Sequence, residues 1–281
     1  MDRLSALKTI TGDAQAGKVD LPSQTAVLLK LRQQLEDPEC HLDRAAQLLQ
    51  GDPALAARAV AAANSIAFNP GGQAITDIKR AASRLGFGNL KALVMAELTR
   101  QMAGRVEVPE LVALHDELWR HTIRLAATAR VLARRVTAVN PDTAFFAGLV
   151  HEVGGFFLIR QAARFPGLLA EAASFADEAA IGEAEAALCL AVLEKIGVPA
   201  EVIDAICDFW RGYVALPPKT LADTLILADY LVPGVSPIRW RMRQPPSSPA
   251  DLDLQVGDRS LKAVLDEAEE EIAALVQALG G

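Results

Sequence analysis

The chain has 281 residues, 51% of them apolar and 5% aromatic, which is material for one large helical domain or two small ones. Its formal charge of -7 argues against nonspecific binding to nucleic acid or to an anionic membrane. The three cysteines, Cys40, Cys189 and Cys207, are widely spaced and odd in number, so they indicate neither a CxxC zinc knuckle nor a disulfide framework, and they suit a reducing, cytoplasmic setting.

Residues 1–20 are an N-terminal lead. Their first residues lack the apolar core of a signal peptide. No stretch approaches the roughly 20 uninterrupted apolar residues of a membrane span. Residues 21–35 predict a helix that starts at Pro22 and gathers Leu28, Leu29, Leu31 and Leu35 near one face. Residues 42–49 predict a short second helix. Asp52 is an N-cap and Pro53 the first helical position of an alanine-rich third helix, suited to close helix–helix approach. A turn at Asn69-Pro70-Gly71-Gly72 leads to a helix over 75–85, ended by Gly86, and another over 89–102.

Residues 103–109 separate this first lobe from a second. A long helix over 111–136 is broken by Asn140-Pro141-Asp142, after which an apolar helix carries His151 and Glu152. Pro166 and Gly167 interrupt again. Residues 184–196, 199–210 and 220–231 predict three further helices. A Pro/Ser-rich loop over 232–251 precedes an acidic helix over 261–279. Strand-like alternation is absent, so the fold class is all-α.

His151 and Glu152 pose the sharpest question. Burying polar groups in an apolar helix costs a few kcal/mol unless they find partners. Imidazole and carboxylate groups that converge from different elements suit a divalent metal. His121, on the long helix, and Asp229, in Leu225-Ile226-Leu227-Ala228-Asp229-Tyr230, are the other candidates. A vestigial polar pair, a single bound metal without turnover and a working phosphohydrolase are the three readings of this group.

The order His121, His151-Glu152, Asp229 resembles the H…HD…D pattern of the HD metal-dependent phosphohydrolase superfamily. Asp52-Pro53-Ala54-Leu55-Ala56-Ala57-Arg58, Ala63-Asn64-Ser65, Ala82-Ser83-Arg84-Leu85-Gly86, Leu118-Trp119-Arg120-His121 and Ala147-Gly148-Leu149-Val150-His151-Glu152-Val153-Gly154 resemble the HDOD family, the HD-related output domain of bacterial signalling proteins. The resemblance runs from about residue 21 to 210. It implies a two-lobed helical HDOD domain over 21–215, with an N-terminal lobe over about 21–103 and an HD-like lobe over about 109–215. Residues 216–281 are then C-terminal helices that extend the HD-like lobe.

The resemblance also implies a non-catalytic signal-transduction or output module. Its partners would be signalling proteins of two-component or cyclic-dinucleotide pathways, or a small-molecule ligand; no membrane is expected, and the acidic charge disfavours a nucleic acid. No cofactor is expected; a single divalent ion at His121, His151, Glu152 and Asp229 is the one candidate, and that site reads as vestigial or weak. The residues support this on physical grounds. Glu152 stands where the catalytic families have Asp, and one more methylene moves the carboxylate by about 1.5 Å, against a metal–ligand tolerance of about 0.2 Å. Gly155 stands where the related His-Asp-x-Gly-Lys motif has a lysine, so no cation faces a phosphate there. Two-metal members need further histidines, yet the chain has four in all and none between residues 181 and 210.

Other features read more plainly. His115 lies six residues before His121, on a different helical face, and is expected to be exposed. Arg130, Arg134 and Arg135 read as the wet face of a long helix, and Glu267, Glu269, Glu270 and Glu271 as a solvated acidic face. Cys189 and Cys207 read as buried core thiols. Arg239, Trp240, Arg241 and Arg243 form a basic cluster with an aromatic; they are solvated, or else contact a ligand or partner such as a cyclic dinucleotide or a nucleic acid.

Overall fold

Local signals start most of the helices. In the computed structural model, which describes residues 2–16, 18, 21–165, 167–169, 175–212, 217–234, 236–238, 255–256 and 259–280, the Asp52 carboxylate accepts from Ala54 N and Leu55 N, each at 3.0 Å. That cap opens α4 (Pro53–Asn64), which follows α1 (Arg3–Gln15), α2 (Ser23–Glu36) and α3 (Leu42–Gln50). The two helices expected on either side of Gly86 run together as α5 (Ile78–Gln101), kinked where Gly86 takes φ 72°, ψ 169°. Only glycine adopts such a conformation without strain.

The second lobe begins with α6 (Pro109–Leu132), whose end is underwound into a π turn, Ala133–Thr137. It continues with α7 (Pro141–Val150), α8 (Val153–Ala162), α9 (Phe175–Lys195), α10 (Ala200–Arg211) and α11 (Leu221–Leu231), the last opened by a Thr220–Asp223 capping box. The expected acidic helix is two, α12 (Leu261–Asp266) and α13 (Glu269–Gly280). A two-residue antiparallel ladder, Gln255–Val256 with Arg259–Ser260, precedes them; among the described residues all other regular structure is helical.

At the centre, α6 packs on α7, α8, α11 and α13, while α5 reaches from α2, α3 and α4 in the first lobe to α7 and α8 in the second. The N-terminal lead contains a docked helix. Ala6, Leu7, Ile10 and Ala14 of α1 are buried against α9, Arg3 donates to Glu185 at 2.6 Å, and Thr11 Oγ1 donates to Ala184 O at 3.2 Å.

One expectation about membranes is amended. Pro141–Ala162, 22 residues, is long and apolar enough to cross a membrane by length and composition, but 83% of its apolar window is buried inside the fold. Its apolar character is that of a core element packed on both sides.

Candidate functional site

Asn140 opens α7 by accepting from Asp142 N and Thr143 N, with Pro141 at the first position. The helix ends at Val150, and Glu152 (φ -102°, ψ 12°) leaves helical geometry before α8 restarts at Val153. His151 and Glu152 therefore sit at a break between two helices rather than inside one. The break gives His151 a partner from the helix it leaves, because its Nδ1 donates to Gly148 O at 2.7 Å. With the proton on Nδ1, Nε2 presents its lone pair, the arrangement usual for a metal-ligating imidazole.

Three of the four expected residues converge there, and the fourth, Asp229, stands beside His121. The ligand atoms of His121, His151 and Glu152 lie within 4.8 Å of one another. His151 Nε2 is 3.7 Å from Glu152 Oε1, and the rings of His121 and His151 are 6.2 Å apart. Asp229, from α11, adds a carboxylate oxygen 3.4 Å from His121 Nε2. His121 Nε2 is buried and makes no hydrogen bond. Two donors on one tetrahedral ion with bonds of about 2.1 Å stand about 3.4 Å apart. The donors of His121, His151 and Glu152 suit one divalent ion, and the His121–Asp229 spacing is that of two donors on such an ion.

The centre is also sealed. The side chains of His151 and Glu152 are each 1% exposed, against 19% for Asp229. Phe209 of α10 meets the His151 ring edge-on at 5.5 Å. Where two-metal relatives would need further histidines, α9 brings Cys189, whose Sγ lies 4.0 Å from His151 O. Burial pushes that thiol well above its usual value, so it stays protonated. Gly155 is buried in α8 and adds no cation. Sequence reasoning singled out neither Phe209 nor the place of Cys189; both lie in apolar runs that look like any other core segment.

Three other expectations need correction. His115 is half-buried: it meets Phe156 edge-on at 5.3 Å, and its Nε2 lies 3.0 Å from Arg100 O, where a proton on that nitrogen makes the bond. Arg130 is buried, with its guanidinium 4.4 Å from the Phe68 ring centre, and Arg130, Arg134 and Arg135 all face carboxylates of the C-terminal helices. Glu271 is buried among them, whereas Glu267, Glu269 and Glu270 are exposed, as expected of a solvated acidic face. Cys207 is half-buried rather than a core thiol. Arg239, Trp240, Arg241 and Arg243 lie outside the described residues.

The HDOD domain model matches residues 21–209. No curated protein is significantly similar to the chain. Solved structures are similar across nearly the whole chain. A candidate metal-dependent phosphohydrolase from Shewanella amazonensis SB2B has 21% identity and a TM-score of 0.68, with 96% of this chain and 97% of that one covered. An HDOD domain protein of unknown function from Geobacter sulfurreducens has 20% identity and a TM-score of 0.61, with 99% and 97% covered. A candidate signal transduction protein from Marinobacter aquaeolei VT8 has 19% identity and a TM-score of 0.59, with 100% of this chain and 67% of that one covered. At these identities the likeness is one of fold.

Proposed function

The chain belongs to the HDOD domain family, and from that premise we propose that it is a cytoplasmic, non-catalytic bacterial signal-transduction module that acts by binding a protein or a small ligand. The observation that supports this reading most is the closure of the centre, with His151 and Glu152 each 1% exposed. Hydrolysis needs an open coordination position for water beside a phosphate-sized space. In this reading His121, His151 and Glu152 are a buried polar joint that fixes how α6, α7 and α8 meet. Its partners are signalling proteins of two-component or cyclic-dinucleotide pathways. Binding shifts the two lobes between arrangements, by no more than the ligand's differential affinity for them.

A second reading, a mononuclear phosphohydrolase, is favoured by the convergence of His121, His151 and Glu152, with Asp229 beside His121. His121 Nε2, His151 Nε2 and the carboxylates of Glu152 and Asp229 would hold the ion, and a bound divalent metal would supply Lewis acidity and an activated water. The chain's own residues would orient those donors, through the Gly148 O–His151 Nδ1 bond, and exclude bulk water. One experiment separates the readings. Purified protein is assayed on phosphodiester, phosphomonoester and nucleotide substrates with Mn²⁺, Ni²⁺ or Fe²⁺, alongside elemental analysis. The expected result is no turnover and less than about a tenth of a metal per chain. Turnover abolished by His151→Ala, with stoichiometric metal lost on His121→Ala, would overturn the non-catalytic reading.

A further inference from the structure

Helix α13 is seated on a face rich in arginine. Arg124 and Arg130 lie on α6, and Arg134 and Arg135 on the π turn that follows it. Opposite them, Glu269 meets Arg124 at 2.8 Å, and Glu267 meets Arg135 at 3.6 Å. Glu271 meets Arg130 and Arg135 at 3.8 Å each, and also pairs with Arg134. Ala127 and Val131 run between the arginines at helical spacing, and Ala268, Ile272 and Leu275 answer them from the other side. The seat thus recognises a particular chemistry: an apolar stripe flanked by carboxylates, on a helix.

Two features set this helix apart from an ordinary core element. Ala127, Val131, Ala268, Ile272 and Leu275 form a small apolar cluster, joined to the main core that Leu261 and Leu279 reach through Phe68, Leu265 and Val276, which pack against both. The outer ion pairs are exposed, with Glu269 54% and Glu267 51% open to solvent, so they add little and are screened by salt. The seat also spans the lobes. Helix α13 packs on α4 as well as α6, and the Phe68 ring beneath Arg130 belongs to the segment after α4.

We propose that this arginine face is a docking site for an acidic amphipathic helix of a partner protein, and that α13 is the chain's own occupant of it. Partner and α13 then compete for one seat. The partner's helix carries apolar side chains at i, i+4 and i+7 with Asp or Glu beside them, as Ala268, Ile272 and Leu275 stand beside Glu267 and Glu271. Its carboxylates engage guanidinium forks, which suit them better than ammonium groups. Displacing α13 removes a contact that both lobes share. This deepens the reading of the chain as a binding module, and rests on it for the existence of a partner.

The probe is a labelled peptide of residues 261–280, titrated into the full chain carrying Glu267→Lys and Glu269→Lys. These reversals weaken the seated helix and keep Ile272 and Leu275. The peptide should bind this variant about ten-fold or more tighter than it binds wild type, because more of the seat is vacant. Its affinity should fall with added salt, and Arg124→Glu with Arg135→Glu in the receptor should weaken it several-fold. Equal affinity for wild type and variant, no binding to a folded variant, or indifference to the arginine reversals would each overturn the proposal. A wild-type dimer held by exchanged α13 helices would also overturn it, since the seat would then belong to a second copy.

If the variant fails to fold, hydrogen exchange in the wild-type chain decides. Amides of α13 exchanging through an opening short of global unfolding support a displaceable helix; protection equal to the global limit overturns it. The two levels fail separately. Phosphohydrolase turnover would sink the non-catalytic reading without moving these titrations, and a flat titration would sink the docking seat while leaving that reading intact.

Discussion

Replacing Gly148 by alanine should destabilise this protein, although in an unconstrained helix the same change does the opposite. A β-carbon on Gly148 would lie 2.5 Å from Ala126 Cα, 2.9 Å from Ala126 Cβ and 3.1 Å from Ala126 N. Carbon atoms rest about 3.5–4 Å apart, so α7 would have to retreat from α6 by about 1 Å. Overpacking costs roughly 1–3 kcal/mol. The upper end applies, because the clashing atoms are backbone and cannot swing aside. Helix propensity returns about 1 kcal/mol, leaving a net loss of about 2 kcal/mol and a fall in Tm of roughly 4–8 °C. The retreat also carries away Gly148 O, which holds His151 Nδ1 at 2.7 Å, so the imidazole nitrogen resonances of His151 should shift as well. Thermal and urea unfolding followed by circular dichroism, with imidazole NMR, measure both effects. Adding Ala126→Gly removes the Cβ contact and leaves the two backbone contacts, so it should recover less than half of the loss. A Gly148→Ala protein that melts at or above the wild-type temperature would refute the close approach as the reason for glycine here.

Three further outcomes follow from the same structure. Asp52→Ala removes the carboxylate that caps Ala54 N and Leu55 N and should cost about 1 kcal/mol in urea unfolding. Burial pushes the Glu97 carboxyl up, but the hydrogen bond and charge of Arg100, with Arg58 and Gln101, more than offset this and hold it below its usual 4.5. A carboxyl depressed by folding contributes stability that is complete above its unfolded value and is lost as pH falls through the folded one. Glu97→Gln should therefore cost roughly 3 kcal/mol at neutral pH, since it leaves Arg58 without its buried carboxylate, and the cost should shrink below about pH 4.5; a pH-independent cost would contradict the argument. In native protein at pH 8, a thiol reagent should reach Cys207 slowly and Cys189 not at all, with all three cysteines reacting in denaturant. Mass spectrometry that finds Cys189 labelled as fast as Cys207 would show that the wall behind His151 is open.

What could be read from the sequence was either local or carried by a pattern of motifs. The Asp52-Pro53 cap and the Gly86 break are local: a side chain two or three residues from a backbone N–H, and a glycine where only glycine serves, declare themselves without knowledge of the fold. The meeting of His121, His151, Glu152 and Asp229 is not local, and only the order of motifs along the chain made it legible. The break at His151–Glu152 stayed hidden because both sides of it are apolar and continue at helical period. The arginines of α6 and the π turn looked wet for a similar reason. A helix's own sequence shows which face is charged and not which distant helix covers it: Arg130 also bonds Asp142, 12 residues on, but the carboxylates that answer Arg124 and Arg134 lie more than 130 residues away. His115 was misplaced by the same blindness, since its partners, Arg100 O and the Phe156 ring, come from helices on either side of its own.

The position of the centre supports the proposed reading of it as a scaffold. The break between α7 and α8 lies where two sets of contacts part: α7 packs on α5, α6, α10 and α11, while α8 packs on α9 as well as on α5 and α6. At that joint the His151 Nδ1–Gly148 O hydrogen bond ties His151 back to α7, and Glu152 opens α8. Helix α5 carries the arrangement into the first lobe, since it touches α2, α3 and α4 at one side and α7 and α8 at the other. Contiguous packing alone does not make a switch; an element with two places to be is also required. In this chain α13 is that element, held on α6 and α4 through a small apolar cluster and exposed ion pairs. A stiff joint at His151 and a displaceable helix across both lobes are complementary. Losing α13 would remove the packing it makes on both α6 and α4, and with it one tie between the lobes.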